Sequence, residues 1–282
     1  MTLPTPGPAL LSLNTATTRK CWGLAQAIEG CARHGIRGIA PWRDLLHAMG
    51  VEAAARAIRS NGLTVTGLCR GGMFTAPDAA GRAAAIEDNR RAIEEAHALD
   101  AQCLVLVAGG LPAGSKDIAG ARLHVQEAIA TILPYARQAG VTLAIEPLHP
   151  MYAADRACIN SLAHALDVCD AIDPQRAGGI GVAVDVYHVW WDPQLEAQIL
   201  RAGKSRLHAF HICDWLVPTR DLLNDRGMMG DGVIDIPRIR GWMEKAGYMG
   251  LHEVEIFSQL DWWERDPDEV LEVCKERHAQ CC

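Results

Sequence analysis

Residues 141–185 read VTLAIEPLHPMYAADRACINSLAHALDVCDAIDPQRAGGIGVAVD, and the way this stretch is punctuated decides the fold. Residues 142–145 form a short apolar run that ends on Glu146-Pro147, and residues 180–184 form a second that ends on Asp185. Between them, residues 162–171 carry apolar side chains at helical spacing. Neither run alternates polar with apolar residues, so both faces of each strand are expected to be covered. That is the pattern of a parallel sheet flanked by helices.

The same unit recurs on either side. Strand-like runs at 9–13, 38–41, 64–68, 103–107, 142–145, 180–184, 207–212 and 251–256 alternate with helical stretches at 24–34, 51–61, 83–99, 119–139, 162–171, 193–202, 236–246 and 268–278. Gly35, Gly62, Gly140 and Gly203 follow helices where a left-handed C-cap residue is wanted. Eight strands alternating with eight helices in 282 residues is the count for an α/β protein built as a closed (β/α)8 barrel. A doubly wound sheet would want a glycine-rich turn after its first strand, and Asn14-Thr15-Ala16-Thr17-Thr18 is not one. No linker, charge run or break in composition divides the chain, so residues 1–282 are read as a single barrel domain.

Composition narrows the function. With 27 Lys+Arg against 34 Asp+Glu, the net charge is −7, which argues against a nucleic-acid partner. No apolar run approaches the ~18 residues of a membrane span. The ten cysteines are scattered, with no C-x-x-C and only the terminal Cys281-Cys282 adjacent. They read as reduced thiols of a cytoplasmic protein. The N-terminus lacks a charged segment followed by a long apolar one, so no signal peptide is expected.

In a barrel, reacting groups come from the C-terminal ends of strands and the loops after them. Each of the last four strands delivers a metal-binding side chain there: Glu146, Asp185, His211 and Glu255. This mixed oxygen and nitrogen set suits one divalent ion, Mn²⁺ first, with Mg²⁺, Co²⁺ or Zn²⁺ as alternatives. Eight Trp against three Phe is an unusual ratio. Trp42, Trp190, Trp191 and Trp215 fall near strand exits, and Trp215 is expected to wall a sugar site. Arg70-Gly71-Gly72 follows the third strand, and Asp155-Arg156 lies in a loop able to cover the site. The long loop at about 214–235, after strand seven, is expected to cover the site and bring Arg226 to a substrate oxygen, outside the metal's coordination shell. His208 and His252 are expected to be core histidines.

The motifs Ile145-Glu146-Pro147-Leu148, Val184-Asp185-x-x-His188, Phe210-His211-Ile212-x-Asp214, Gly230-Asp231-Gly232-x-Ile234-Asp235 and Gly247-Tyr248-x-Gly250-x-x-x-Val254-Glu255 resemble those of the xylose isomerase-like TIM barrel superfamily. The superfamily includes sugar epimerases, inosose isomerases and dehydratases, hydroxypyruvate isomerase and endonuclease IV. The resemblance implies that Glu146, Asp185, His211 and Glu255 are the metal ligands and that His188 reaches a substrate oxygen. It further implies an isomerase or epimerase of a small sugar, sugar acid or cyclitol, in which Glu146 and Glu255 act on opposite faces of a carbon beside a metal-chelated carbonyl. The intermediate would be a cis-enediolate. A lyase, dehydratase or hydrolase acting on an α-hydroxyketone, such as a keto-inositol or 3-keto-glycoside, would open with the same step. An endonuclease IV-like repair enzyme is the remote alternative. Where ketose 3-epimerases typically follow Glu-Pro-Leu with Asn, this chain has His149-Pro150, which leaves the sugar open. The expected partner is a small polyhydroxy substrate, with pairing into a homodimer or homotetramer as in other barrels of this kind.

Overall fold

An extended chain points alternate side chains to opposite faces, and this protein sorts the two faces of its strands by size. The computed structural model describes residues 5–282, so the first four residues of the N-terminus read above lie outside the described residues. In chain order the strands are β1 (Leu11–Asn14), β2 (Gly38–Ala40), β3 (Thr64–Val65), β4 (Leu68–Gly72), β5 (Leu104–Val107), β6 (Leu143–Glu146), β7 (Ile180–Asp185), β8 (Leu207–Ile212), β9 (Asp214–Trp215), β10 (Arg226–Gly227) and β11 (His252–Val254). The helices are α1 (Leu24–His34), α2 (Arg43–Met49), α3 (Val51–Ser60), α4 (Ala79–Ala98), α5 (Ile118–Ala139), α6 (Leu162–Ile172), α7 (Val186–Val189), α8 (Leu195–Ala202), α9 (Ile236–Lys245) and α10 (Pro267–Cys281).

Nine strands form one sheet in the order β3-β2-β1-β11-β8-β7-β6-β5-β4, paired in parallel throughout. β3 and β4 are two pieces of the third barrel strand, which breaks at Thr66-Gly67 and resumes as far as Gly72. Across the break, Thr66 N donates to Ile39 O at 3.0 Å and Cys69 N to Pro41 O at 2.9 Å, which carries the pairing with β2 onward and closes the barrel. The fold is therefore the expected TIM barrel, with its third strand interrupted and extended beyond the run at 64–68. The short helix α2, the single turn α7 and the β9–β10 hairpin are additions that sequence periodicity does not show, because none spans two helical turns or four strand residues.

Outward-facing Leu13, Ile39, Leu106, Ile145, Val184 and Phe210 pack under the helices. Each such burial stabilises the fold by roughly 1.5–3 kcal/mol. Inward-facing Cys69, Cys103, Val105, Ala144, Ala183 and Ala209 form a separate inner cluster, and their small volumes leave room for polar side chains above them. Helices start and stop on local chemistry. Asp78 accepts from Gly81 N at 2.7 Å to cap α4, and Asp117 accepts from Gly120 N at 2.8 Å to cap α5. Gly35 (φ 68°) and Gly140 (φ 71°) end α1 and α5 in the left-handed conformation that the sequence implies.

Register sets the height of the functional groups. Asp185 lies beside His211, His211 beside Glu253, and Glu253 beside Ser12, so one level runs across β7, β8, β11 and β1. At the other end of β11, His252 is a core histidine as expected, with Nδ1 3.0 Å from Nε2 of buried His278. His208 packs its ring against the Gly181 backbone.

Burial lowers the imidazole pKa of His252 to about 3 and of His278 to about 4. The unfolded chain takes up protons on these rings below about pH 6.5 while the native pair resists them. Stability is thus expected to be flat above pH 6.5 from this source and to fall as pH drops toward 4. Denaturant titrations at pH 7 and pH 5 should show a loss of up to about 2 kcal/mol per ring, and His252→Phe with His278→Leu should remove that share. A double variant as acid-sensitive as the parent would clear this pair of the effect.

Candidate active site and metal centre

Glu146 ends β6, Asp185 ends β7, His211 lies one residue before the end of β8, and Glu255 follows β11 on the same face as Glu253. All four are buried, and one donor atom from each lies within 4.8 Å of the other three. Asp185 also caps the turn after its strand by accepting from Tyr187 N at 2.8 Å, which fixes its rotamer. Glu146 Oε1 sits 2.9 Å from His211 Nδ1, yet neither atom has an aligned hydrogen bond. A buried ion pair this close but without an aligned hydrogen bond calls for an explanation. A cation at the focus of the four side chains would satisfy both atoms, so the residues present fit a divalent ion.

A fourth acidic residue stands below these. Glu253 Oε1 is 3.4 Å from His211 Nε2 and accepts from Asn14 Nδ2 at 2.8 Å, while Oε2 accepts from Thr66 Oγ1 at 2.7 Å. Asn14 Nδ2 also donates to Glu255 Oε1 at 3.0 Å, and Trp42 Nε1 donates to Asn14 Oδ1 at 2.8 Å. Burial opposes protonation of His211, but Glu253 and Glu146 outweigh it and hold the imidazole pKa well above its usual value. Sequence reading missed Glu253 and Asn14. The signal for Glu253 was the two-residue strand period that puts it on Glu255's face. Asn14 was read only as lacking a glycine turn.

Arg226 enters this cluster from β10, which pairs antiparallel with β9. The sequence expectation brings it to a substrate oxygen, outside the ligand set; Arg226 does line the cavity, and it also bridges two of the expected metal ligands. Its Nη1 donates to Asp185 Oδ2 at 2.9 Å and Glu255 Oε2 at 3.0 Å, and its Nη2 lies 3.2 Å from His188 Nε2. The neighbouring acids are engaged elsewhere, Asp225 by Arg220 and Asp231 by Arg277. Burial disfavours ionised Asp185, yet Arg226, His188 and His211 together hold its carboxyl below the usual range. Burial drives His188 down to about 3, so its ring is neutral at physiological pH.

Glu146, His188, Arg226 and Glu255 form the floor of a cavity with Trp42, Tyr152, Leu223 and Phe257 among its walls. Trp215 is not one of the walls; it stacks on Tyr187 at 4.6 Å and on His149 at 5.1 Å. Its neighbour Asp214 holds the base of the loop by accepting from the backbone N–H groups of Gly230, Gly232 and Ile234. The far end of the loop is held by Tyr152 and Tyr187, whose hydroxyls both donate to Leu222 O. His149 caps the turn at Pro150–Tyr152 rather than entering the cavity.

A sequence model of the xylose isomerase-like TIM barrel family matches residues 28–276. The structure is similar to a crystal structure of a protein from Sinorhizobium meliloti 1021, with 61% identity, a TM-score of 0.95, and coverage of 98% of this chain and 99% of that one. It is also similar to the IolI protein with a bound zinc atom (18% identity, TM-score 0.82, 96% and 97% covered). A third likeness is to a D-psicose 3-epimerase crystallised in the presence of D-fructose (18% identity, TM-score 0.77, 96% and 97% covered). At those two identities the likeness speaks for the fold. A search of curated protein sequences finds no match. No helix among the described residues is long and apolar enough to cross a membrane.

Removing Arg226 would leave Asp185 and Glu255 buried without their shared counter-charge. Arg226→Met is expected to lower unfolding free energy of the metal-free protein by about 3–5 kcal/mol, the usual cost of breaking a buried pair. Denaturant titration measures this directly, and a loss below about 1 kcal/mol would show the guanidinium to be dispensable for holding the cluster.

Proposed function

The chain belongs to the xylose isomerase-like TIM barrel family, and from that premise we propose that it is an enzyme holding one divalent cation on Glu146, Asp185, His211 and Glu255 and isomerising or epimerising a small polyhydroxy carbonyl compound. The observation that carries this reading is the convergence of four buried donors, with Glu146 Oε1 and His211 Nδ1 left without hydrogen bonds at their focus. Three carboxylates and an imidazole suit Mn²⁺, and also Mg²⁺, Co²⁺ or Zn²⁺. When bound, such an ion supplies Lewis-acid polarisation of a carbonyl and its neighbouring hydroxyl.

The chain's own groups supply the proton chemistry. Glu146 and Glu255 come from strands separated in the sheet by β7 and β8, so they reach a bound carbon from different sides. One removes the proton beside the carbonyl and the other returns one to the opposite face, which inverts that centre; return to the adjacent carbonyl carbon, with the neighbouring hydroxyl proton passing to the former carbonyl oxygen, isomerises the compound instead. Burial, with repulsion from Glu146 and against the attraction of Arg226, raises Glu255 to about 8, so this carboxyl can hold a proton at neutral pH. Neutral His188 offers a hydrogen bond to a substrate hydroxyl. Arg226 keeps Asp185, Glu255 and His188 in fixed positions. Trp42 and Phe257, 5.6 Å apart edge to face, present ring surface to the C–H face of a sugar.

Mn²⁺ titration should find about one ion per chain, with Asp185→Asn or His211→Ala losing it. Because His211 and Glu255 must give up protons to act as ligands, uptake at pH 7 should release about one to two protons per ion. Calorimetry in buffers of different ionisation enthalpy reads this; zero release would show that both groups are already deprotonated in the metal-free protein, and unchanged uptake in the Asp185→Asn and His211→Ala variants would rule out coordination by these residues.

The reaction itself is tested by incubating a panel of ketoses, keto-acids and inososes in D₂O with Mn²⁺ and locating deuterium at carbon. Glu146→Gln and Glu255→Gln should each lower turnover by ~10² or more with the ion still bound. Exchange into one substrate epimer should survive in only one of the two variants. Mild, equal losses for both epimers would defeat the two-base scheme in favour of the dehydratase alternative, which needs a single base.

A further inference from the structure

The arginines around the barrel mouth differ in whether they have partners. Arg19 pairs with Asp44, Arg43 with Asp88 and Glu95, Arg220 with Asp225, and Arg226 with Asp185 and Glu255. Arg70 and Arg156 line the same cavity as the acidic cluster, and neither guanidinium makes a hydrogen bond or ion pair among the described residues. The contact that Arg156 does make is a distant approach to the Tyr152 ring, 5.7 Å to its centroid. The two come from separate elements, Arg70 from β4 and Arg156 from the segment after β6. The backbone under Arg70 is clamped by Asn89, which accepts from Gly72 N at 2.6 Å and donates to Gly72 O at 2.8 Å.

The acidic floor does not account for this pair. Burial lowers the pKa of Arg70, and its largest charge interaction is repulsion by Arg156, ahead of any attraction to Glu146. Two guanidiniums facing one cavity and repelling each other leave their forked donors free for an anion with oxygen atoms in a plane or a tetrahedron.

We propose that Arg70 and Arg156 form an oxyanion subsite and that the substrate carries a carboxylate or phosphate group distant from its reacting carbons. This inference rests on the isomerase or epimerase reading of the same cavity. It narrows the substrate class to sugar acids or sugar phosphates and away from neutral sugars and cyclitols.

Two measurements separate this inference from the reading it rests on. In the first, inorganic phosphate is titrated calorimetrically into the Mn²⁺-loaded protein, its Arg70→Gln/Arg156→Gln variant, and an Arg70→Lys/Arg156→Lys variant that keeps the charges without the forks. The expected result is binding to the parent, weakened about 10-fold or more in the Gln variant and partly kept in the Lys variant. Equal phosphate affinity in parent and Gln variant would place the anion on the metal or elsewhere and overturn the subsite.

In the second, deuterium exchange compares ketoses with their terminal phosphate esters and with ketoaldonic acids of equal length, which also tells the two oxyanions apart. Each single Arg→Gln change should lower kcat/KM for the preferred anionic compound by about 10- to 100-fold and for its neutral counterpart by less than about threefold. Neutral ketoses exchanging as fast as anionic ones would overturn the subsite and leave the isomerase reading standing. No exchange from any compound would sink the isomerase reading, while phosphate binding still decides on the arginines.

Discussion

Like charge buried in one place is the constraint that this structure answers. Glu146, Asp185, Glu253 and Glu255 crowd the top of the barrel, where few water molecules can screen them. Four acids in such a place are tolerable only with positive charge and hydrogen-bond donors among them. Arg226 bridges two, His211 lies between two, and Asn14 and Thr66 both donate to Glu253. The cavity floor therefore combines buried acids with the cation that offsets their charge, Glu146 and Glu255 beside Arg226.

This explains why the loop after β8 is anchored at both ends. A guanidinium that compensates buried carboxylates must arrive with its rotamer fixed, and a mobile loop would expose the acids to one another. Asp214 ties down three backbone N–H groups at the loop base, and Tyr152 and Tyr187 hold Leu222. Phe257 and Tyr187 sandwich the Arg226 guanidinium at 5.0 and 4.5 Å from their ring centroids, which adds cation–π contact to the ion pairs. Trp215 stacks on Tyr187 and so supports the aromatic side of that contact.

The small inner layer has its own consequence. With alanines and cysteines filling the barrel's middle, the side chains above them can be long and polar without overpacking. Asn14 can then reach both Glu253 and Glu255, and Trp42 can reach Asn14. The inner apolar layer, the hydrogen-bonded acid layer and the arginine-lined mouth form a graded path from core to solvent along the barrel axis.

Much of this was legible in the chain. The alternation of apolar runs and helical stretches determined the barrel, because parallel strands covered by helices need apolar side chains on both faces. The strand exits then named Glu146, Asp185, His211 and Glu255, since a barrel directs those positions to one end. The third strand's break, α2 and the β9–β10 hairpin were not legible, being too short to carry a period. Nor were the partners of Arg226: sequence put it near Asp225 and Asp231, while the fold paired it with Asp185 and Glu255, 41 and 29 residues away. Side-chain pairing across such separations depends on strand order, register and loop path together. Local sequence thus determined which residues stand at the barrel mouth, and only the tertiary structure decided which of them neutralise one another.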